Sequence, residues 1–172
     1  MSGADGNSRA QELVHALTDR AETLASCESL TAGLFAAEIA TVPGASAVLR
    51  GGLITYATEL KHSLAGVPEE TLAAVGPVAE ETARAMAEGA RSTCEATWGV
   101  ALTGVAGPDS QDGHPVGEVW IGVARDGGPT LTRRLSIDPQ NDPQRTREYI
   151  RSTSVAKAIE FLLATLGTIP KR

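Results

Sequence analysis

Apolar positions recur along the chain at two spacings, one typical of helices and the other typical of buried strands. Ala10, Leu13, Val14 and Leu17 repeat at helical spacing, which predicts a helix near 8–20. The same spacing predicts further helices near 34–40, 79–93 and 144–167. Short apolar runs predict strands at 23–27, 51–56, 98–103, 116–125 and 131–137, and the last two are expected to form a hairpin.

Strands that alternate with helices and end in a hairpin are typical of the α/β class. We therefore expect a single three-layer α/β/α domain, in which helices cover a mixed, mostly parallel sheet of about five strands. The expected domain covers residues 9–168, and the small, polar residues 1–8 predict a disordered N-terminal tail.

Composition excludes several functional classes. The 172 residues are 42% hydrophobic and 21% charged, values that suit one compact domain. A net charge of −6 and 3% aromatic residues argue against a nucleic-acid-binding protein. Two cysteines are too few for a disulfide scaffold, and no apolar run is long enough to cross a membrane. Because the N-terminus also lacks a signal-peptide pattern, we expect a cytoplasmic protein without nucleic-acid or membrane partners.

Three polar segments follow the ends of predicted strands, at 28–33, 56–61 and 103–109. In open α/β sheets, ligands bind beyond the carboxyl ends of the strands, where loops lead into helices. The shared placement of these segments predicts a site at one edge of the sheet.

Ser29 lies between a predicted strand and a predicted helix, and two roles fit this position. A serine there commonly caps the helix by accepting a hydrogen bond from a backbone N–H group. It is also placed to act as a nucleophile, because unpaired N–H groups at the start of a helix stabilise an oxyanion. Gly33 would let a ligand approach the backbone closely.

A serine nucleophile needs a base, and the chain offers histidine or lysine. None of the three histidines, His15, His62 and His114, has an evident partner, so a Ser-His-Asp triad is not favoured. Lys61 is either a solvated surface charge or a base whose pKa is lowered by its surroundings. Tyr56 either packs in its strand or relays a proton between the serine and the lysine.

The glycine-bearing turn at 103–109 and three arginines near the last helix are candidates for anion binding. The turn is either a simple tight turn or a cradle of N–H groups for a phosphate or carboxylate, and it does not match the P-loop. Arg145, Arg147 and Arg151 either lie on a solvated helix face or include one phosphate ligand. No set of His, Cys and carboxylate residues has the spacing of metal ligands, so no metal site is expected. Cys27 is interpreted as a buried strand residue.

Four segments, taken together, make the chain resemble the CinA C-terminal domain family: ESLTAG (28–33), GLITYATELK (52–61), TGVAGPD (103–109) and PVGEVW (115–120). They occur in the family's order, and the resemblance extends over residues 10–166. The family includes nicotinamide-nucleotide amidases of the PncC type and the second domain of longer CinA proteins. At this length, the resemblance implies the stand-alone amidase form, and we expect no molybdopterin-binding-like first domain.

The resemblance implies a reaction. The expected activity is hydrolysis of the carboxamide of nicotinamide mononucleotide to nicotinic acid mononucleotide and ammonia, which recycles NAD and uses no metal or other cofactor. An α/β/α fold and a homo-oligomer, with a dimer favoured, are implied as well. Two alternatives stay open: a non-catalytic nucleotide-binding regulatory module of the same fold, and an amidase that acts on a different amide.

The resemblance also implies roles for individual residues. Ser29 matches the nucleophile, Lys61 and Tyr56 match the residues that support it, and backbone N–H groups around 31–33 are expected to stabilise the oxyanion. The chain departs from the family pattern at Leu30, where a small or thiol residue is common, and at Ala32, where glycine is common. The expected substrate-binding residues are Glu28, Thr31, Ala32, Gly33, Thr103, Gly104, Ala106, Gly107, Arg147 and Arg151.

Overall fold

The computed structural model describes the backbone of residues 3–170 and the side chains of residues 8–170. Its strands are β1 (Leu24–Glu28), β2 (Leu49–Ile54), β3 (Trp98–Gly104), β4 (Glu118–Arg125) and β5 (Leu131–Ser136). Its α-helices are α1 (Gly3–Thr18), α2 (Leu34–Ala40), α3 (Thr58–Ser63), α4 (Glu69–Val75), α5 (Glu80–Thr93) and α6 (Pro143–Thr168), and a short 3₁₀ helix covers Ala45–Ala47.

The five strands form one mixed sheet in the order β2-β1-β3-β4-β5. β1 pairs in parallel with β2 and β3, whereas β4 runs antiparallel to both β3 and β5. Four strands therefore run in one direction, and the predicted mixed, mostly parallel sheet is confirmed. The predicted hairpin is the pair β4 and β5.

Helices cover both faces of the sheet, as the α/β/α prediction requires. On one face, α1, α2 and α6 pack around a large aliphatic core that includes Leu13 and Ile159. On the other face, α5 packs through small residues such as Ala87 against Ala101 of the sheet. Gly99 lies so close to α5 that a β-carbon there would clash with the helix backbone. The alanine-rich face predicted near 79–93 is therefore the face that contacts the sheet.

The structure differs from the predicted elements in two places. α1 begins at Gly3, ahead of the expected start near residue 8, and residues 1–2 of the expected tail lie outside the described residues. The pattern also does not predict the three short helices at 45–47, 58–63 and 69–75. α4 buries none of its side chains, so no apolar stripe marks it in the sequence.

The strand register brings the ends of β1, β2 and β3 to the same level. Glu28 pairs with Ile54 of β2 and with Leu102 of β3. Beyond these pairs, the Ser29 N–H donates to the Leu102 carbonyl and the Thr55 N–H donates to the Glu28 carbonyl, both at 2.9 Å. The three polar segments therefore meet at one edge of the sheet.

Candidate active site

Ser29 and Lys61 are in direct contact beyond the end of β1. Lys61 Nζ donates hydrogen bonds to Ser29 Oγ at 3.0 Å and to the Thr55 carbonyl at 2.8 Å. The short helix α3 directs Lys61 inward, and only 1% of the residue is exposed. Two residues that are 32 positions apart in the chain thus form one pair, as the nucleophile-and-base hypothesis requires.

Burial makes the Lys61 amine bind its proton less tightly than an ordinary lysine does. Desolvation disfavours the charged ammonium form and lowers the pKa of Lys61 to about 8, from an ordinary value of 10.5. At pH 7 such an amine is neutral in about one molecule in ten. A neutral amine has a lone pair that accepts the proton of the Ser29 hydroxyl. The interpretation of Lys61 as a solvated surface charge is therefore wrong, and the base interpretation has the contact that it needs.

A cleft opens beside Ser29 where the three polar segments meet. Of the expected site residues, the cleft is lined by Ser29, Tyr56, Lys61, Thr103, Gly104, Ala106, Gly107 and Arg147. The other expected residues, which lie outside this lining, are Glu28, Thr31, Ala32, Gly33 and Arg151. The lining also contains residues to which the sequence interpretation gave no role, among them Thr58, Pro77, Val78, Asp109 and Gln111.

Pro77 and Val78 line the cleft although they lie outside all of the sequence motifs. They belong to the link between α4 and α5, and the Thr103 hydroxyl donates to the Pro77 carbonyl at 2.6 Å. Thr58 and Gln111 lie within or beside the polar segments, so proximity to those segments was the one available signal for them. Pro77 and Val78 had no such signal.

Glu28 supports the turn that carries Ser29 and is not free to bind a substrate. Its buried carboxylate accepts four hydrogen bonds of 3.0 Å, from the Ser26 hydroxyl and from the N–H groups of Gly33, Phe35 and Ala36. These N–H groups lie at the start of α2, so Glu28, not Ser29, caps that helix. The expected substrate-binding role of Glu28 is therefore wrong, and so is the capping role of Ser29.

The backbone donors next to Ser29 differ in part from those expected at 31–33. The Ala32 N–H donates to the Ser29 carbonyl at 3.1 Å, and the Gly33 N–H donates to Glu28. Within the described part of the chain, the N–H groups of Leu30 and Thr31 donate no hydrogen bond. Leu30 lines the cleft and Thr31 does not, so the Leu30 N–H is the donor of this turn that remains for an oxyanion. The expectation that the N–H groups of Ala32 and Gly33 stabilise an oxyanion is therefore wrong, because both already donate within the protein.

Arg151 supports the same turn from α6. Its Nε donates to the Leu30 carbonyl at 2.9 Å and its Nη2 donates to the Thr31 carbonyl at 3.0 Å. These bonds leave the side chain outside the cleft, so the expected substrate-binding role of Arg151 is replaced by support of the turn. Arg145 is exposed in the first turn of α6.

Arg147, one helical turn before Arg151, lines the cleft instead. Its Nη1 donates to the Gly107 carbonyl and its Nη2 donates to the Tyr56 hydroxyl, both at 2.7 Å. Tyr56 is 55% exposed and its hydroxyl is bonded to Arg147, whereas Lys61 reaches Ser29 without an intermediary. The expected proton relay through Tyr56 is therefore not the arrangement found.

The turn after β3 combines close packing with free backbone donors. A β-carbon on Gly104 would lie 2.5 Å from the Glu118 carbonyl oxygen, so β3 and β4 approach too closely there for any other residue. Among the described residues, the N–H groups of Ala106 and Gly107 donate no hydrogen bond. These donors fit the predicted anion cradle, which stays a prediction.

The remaining candidate groups make no hydrogen bond to Ser29 among the described residues. His62 Nδ1 pairs with the Val67 carbonyl at 2.8 Å, and His114 Nδ1 lies 3.2 Å from Glu118. Burial raises the pKa of the Cys27 thiol to about 11, which keeps it protonated. In the part of the chain that the structure describes, no three His, Cys, Asp or Glu side chains are grouped to hold a metal ion. No helix there is long and apolar enough to span a bilayer.

Comparison of the sequence with known proteins gives a family match along most of the chain. The model of the CinA C-terminal domain matches residues 6–166. A CinA-like protein of Frankia casuarinae is 46% identical over 154 residues, which cover 90% of this chain and 34% of that protein. The chain spans about a third of the length of the curated relatives that it matches.

Solved structures match along nearly the whole chain. The competence/damage inducible protein CihA of Agrobacterium tumefaciens has a TM-score of 0.88 at 32% identity, covering 97% of this chain and 98% of that chain. A CinA superfamily protein of Klebsiella pneumoniae has a TM-score of 0.88 at 27% identity, covering 95% and 99%. These likenesses confirm the predicted fold class. On the family match and the identity to these relatives, the chain belongs to the CinA C-terminal domain family.

Proposed function

We propose that this chain is a serine amidohydrolase that converts nicotinamide mononucleotide into nicotinic acid mononucleotide and ammonia. The observation that carries the proposal is the 3.0 Å hydrogen bond between the buried Lys61 Nζ and Ser29 Oγ at the floor of a cleft. The names of the relatives state no reaction, so the choice of substrate rests on the resemblance of the four motifs. The cytoplasmic location and the homo-oligomer stay predictions.

The first half of the reaction forms an ester on Ser29. Neutral Lys61 accepts the hydroxyl proton while Ser29 Oγ attacks the carboxamide carbon, and the carbonyl oxygen becomes an oxyanion. The protonated Lys61 then donates its proton to the amide nitrogen, the C–N bond breaks, and ammonia leaves. The hydrogen bond to the Thr55 carbonyl holds Nζ at Ser29 during both transfers.

The second half regenerates the enzyme. Lys61, neutral again, accepts a proton from water as the water oxygen attacks the ester carbon. The second tetrahedral intermediate collapses, the bond to Ser29 Oγ breaks, and Lys61 returns the proton to Ser29. In both halves the free N–H group of Leu30, which lines the cleft, would donate to the developing oxyanion, and a well-placed donor contributes about 3 kcal/mol.

The rest of the cleft would hold the nucleotide. The free N–H groups of Ala106 and Gly107 and the guanidinium of Arg147 are donors suited to a phosphate. Lys61 is committed to Ser29 and Thr55, which leaves Arg147 as the cationic group of the lining available to the phosphate. The amide end of the substrate therefore lies at Ser29 and the phosphate end lies toward α6.

Ammonia release from nicotinamide mononucleotide tests the proposal. Ser29→Ala and Lys61→Met are expected to lower the rate by about a thousandfold or more, because removing one member of a catalytic pair disables the pair. Ser152→Ala and Lys157→Met change an exposed serine and an exposed lysine outside the cleft and should keep full activity. Full activity of folded Ser29→Ala protein would contradict the mechanism.

The same assay separates the two alternatives. A non-catalytic nucleotide-binding module would show a shift in melting temperature with the nucleotide and no ammonia. An amidase for another amide would release ammonia faster from a substrate other than nicotinamide mononucleotide. Either outcome would replace the proposed substrate or activity.

A further inference from the structure

The guanidinium of Arg147 joins three walls of the cleft. Arg147 lies in the first turns of α6, Tyr56 lies between β2 and α3, and Gly107 lies in the turn after β3. The hydrogen bonds from Arg147 to the Tyr56 hydroxyl and to the Gly107 carbonyl are both 2.7 Å long. One side chain thus connects segments that are 91 and 40 positions away in the chain.

These two bonds fix the plane of the guanidinium and leave some of its N–H donors available for a ligand. An arginine has five N–H donors in a rigid fork, and two of them are occupied here, so three remain for a ligand. An arginine side chain on a helix surface otherwise samples many rotamers, and ordering it on binding costs affinity. Bonds to two separate walls remove that cost before the ligand arrives.

Tyr56 has no contact that would let it move the serine proton. Lys61 donates directly to Ser29 and to the Thr55 carbonyl, and in the described structure the hydrogen bond of the Tyr56 hydroxyl is the one from Arg147. The Tyr56 ring is more than half exposed, so neighbouring side chains do not hold it by burial. Its hydroxyl therefore acts on the arginine and not on the serine.

We propose that Tyr56 is a positioning residue: its hydroxyl orients the Arg147 guanidinium to receive the phosphate of the substrate, and it takes no part in transferring the proton of Ser29. The inference rests on the proposed function for the identity of the ligand. It assigns Tyr56 to substrate affinity, where the motif resemblance alone assigned it to support of the nucleophile.

The test is Tyr56→Phe, which removes the hydroxyl and keeps the ring. We expect KM for nicotinamide mononucleotide to rise about five- to tenfold, which corresponds to the loss of one ordinary hydrogen bond. The kcat value, and KM for the phosphate-free nicotinamide riboside, should stay at the wild-type values. Tyr149→Phe, a change in the other, also exposed, tyrosine of the chain, should alter neither parameter.

Two results would overturn the inference. A fall in kcat with both substrates at unchanged KM would restore the proton relay. Unchanged kinetics with both substrates would show that the hydroxyl has no role in binding.

Binding measurements keep the inference separate from the proposed reaction. Calorimetric titration of Ser29→Ala protein with the nucleotide and with the riboside gives two dissociation constants. In the double variant that also carries Tyr56→Phe, only the affinity for the nucleotide should fall. This holds whether or not the wild-type protein releases ammonia. Equal affinity of the Ser29→Ala protein for the two ligands, or an equal change in both on Tyr56→Phe, would refute the positioning role.

Discussion

Replacing the buried Lys61 with methionine is expected to remove a pH-dependent penalty from the folded state. Only 1% of Lys61 is exposed, and burial lowers its pKa to about 8, below the ordinary value of 10.5 that applies to the unfolded chain. Between these pH values the unfolded chain binds the proton and the folded chain does not. The charged lysine therefore destabilises the fold fully below pH 8, and this penalty disappears as the pH rises toward 10.5.

The size of the effect follows from the two pKa values. Their difference, 10.5 minus about 8, corresponds to about 3 kcal/mol. Methionine has a similar length but loses the hydrogen bonds to Ser29 and to the Thr55 carbonyl, and an unpaired buried carbonyl costs about 1–3 kcal/mol. That loss does not depend on pH. The difference in unfolding free energy between the two proteins should therefore change with pH, whatever its value at pH 7.

Urea unfolding followed by circular dichroism measures this difference. Between pH 7 and pH 10, wild-type protein should gain about 2–3 kcal/mol relative to Lys61→Met. Lys157→Met serves as the control, because Lys157 is exposed and its curve should run parallel to that of wild-type protein. Parallel curves for wild-type protein and Lys61→Met would show that Lys61 is not desolvated in the folded state, and the basis for its role as a base would be lost.

Three further predictions concern the same site. The kcat/KM value for ammonia release should rise about tenfold per pH unit below pH 8 and level off above it, because the proposed mechanism uses the neutral form of Lys61. A flat profile would exclude Lys61 as the base. Glu28→Gln places an amide NH₂ group, itself a donor, where four hydrogen-bond donors converge. Urea unfolding should show that the free energy of unfolding falls by about 2–4 kcal/mol, whereas the exposed Glu81→Gln should leave it unchanged. Arg151→Ala should lower kcat for phosphate-bearing and phosphate-free amides alike, because it loosens the turn after Ser29. Arg147→Ala should instead raise KM for the phosphate-bearing amide alone. The reverse pattern in steady-state kinetics would exchange the roles of the two arginines.

The order of the main strands and helices could be predicted because it depends on periodic burial. Stripes such as the one that includes Ile159 and Leu162 in α6 mark which face of an element is buried, and glycine-rich turns separate the strands. The short helices α3 and α4 could not be predicted in the same way. α3 buries Lys61 alone, a residue that every hydrophobic pattern counts as exposed.

The meeting of the three polar segments could also be predicted, but the contacts of each charged side chain could not. Arg147 and Arg151 lie one turn apart on α6 and have the same side chain. Arg147 nevertheless lines the cleft, whereas Arg151 binds the turn after Ser29. Glu28 lies next to Ser29, the proposed nucleophile, in the sequence, but its carboxylate accepts hydrogen bonds from the start of α2. Such differences depend on which carbonyl or N–H group of another element is within reach.

By itself, the sequence determined the fold class, the family resemblance and the three segments that meet at one edge of the sheet, since all three depend on local patterns and short motifs. The tertiary structure alone decided that Lys61 is buried against Ser29, that Leu30 provides the free N–H group at the cleft, and that Tyr56 is bonded to Arg147. The physical reason is that desolvation and hydrogen bonding are set by atoms a few ångströms away in space, and at this site those atoms come from separate strands and helices.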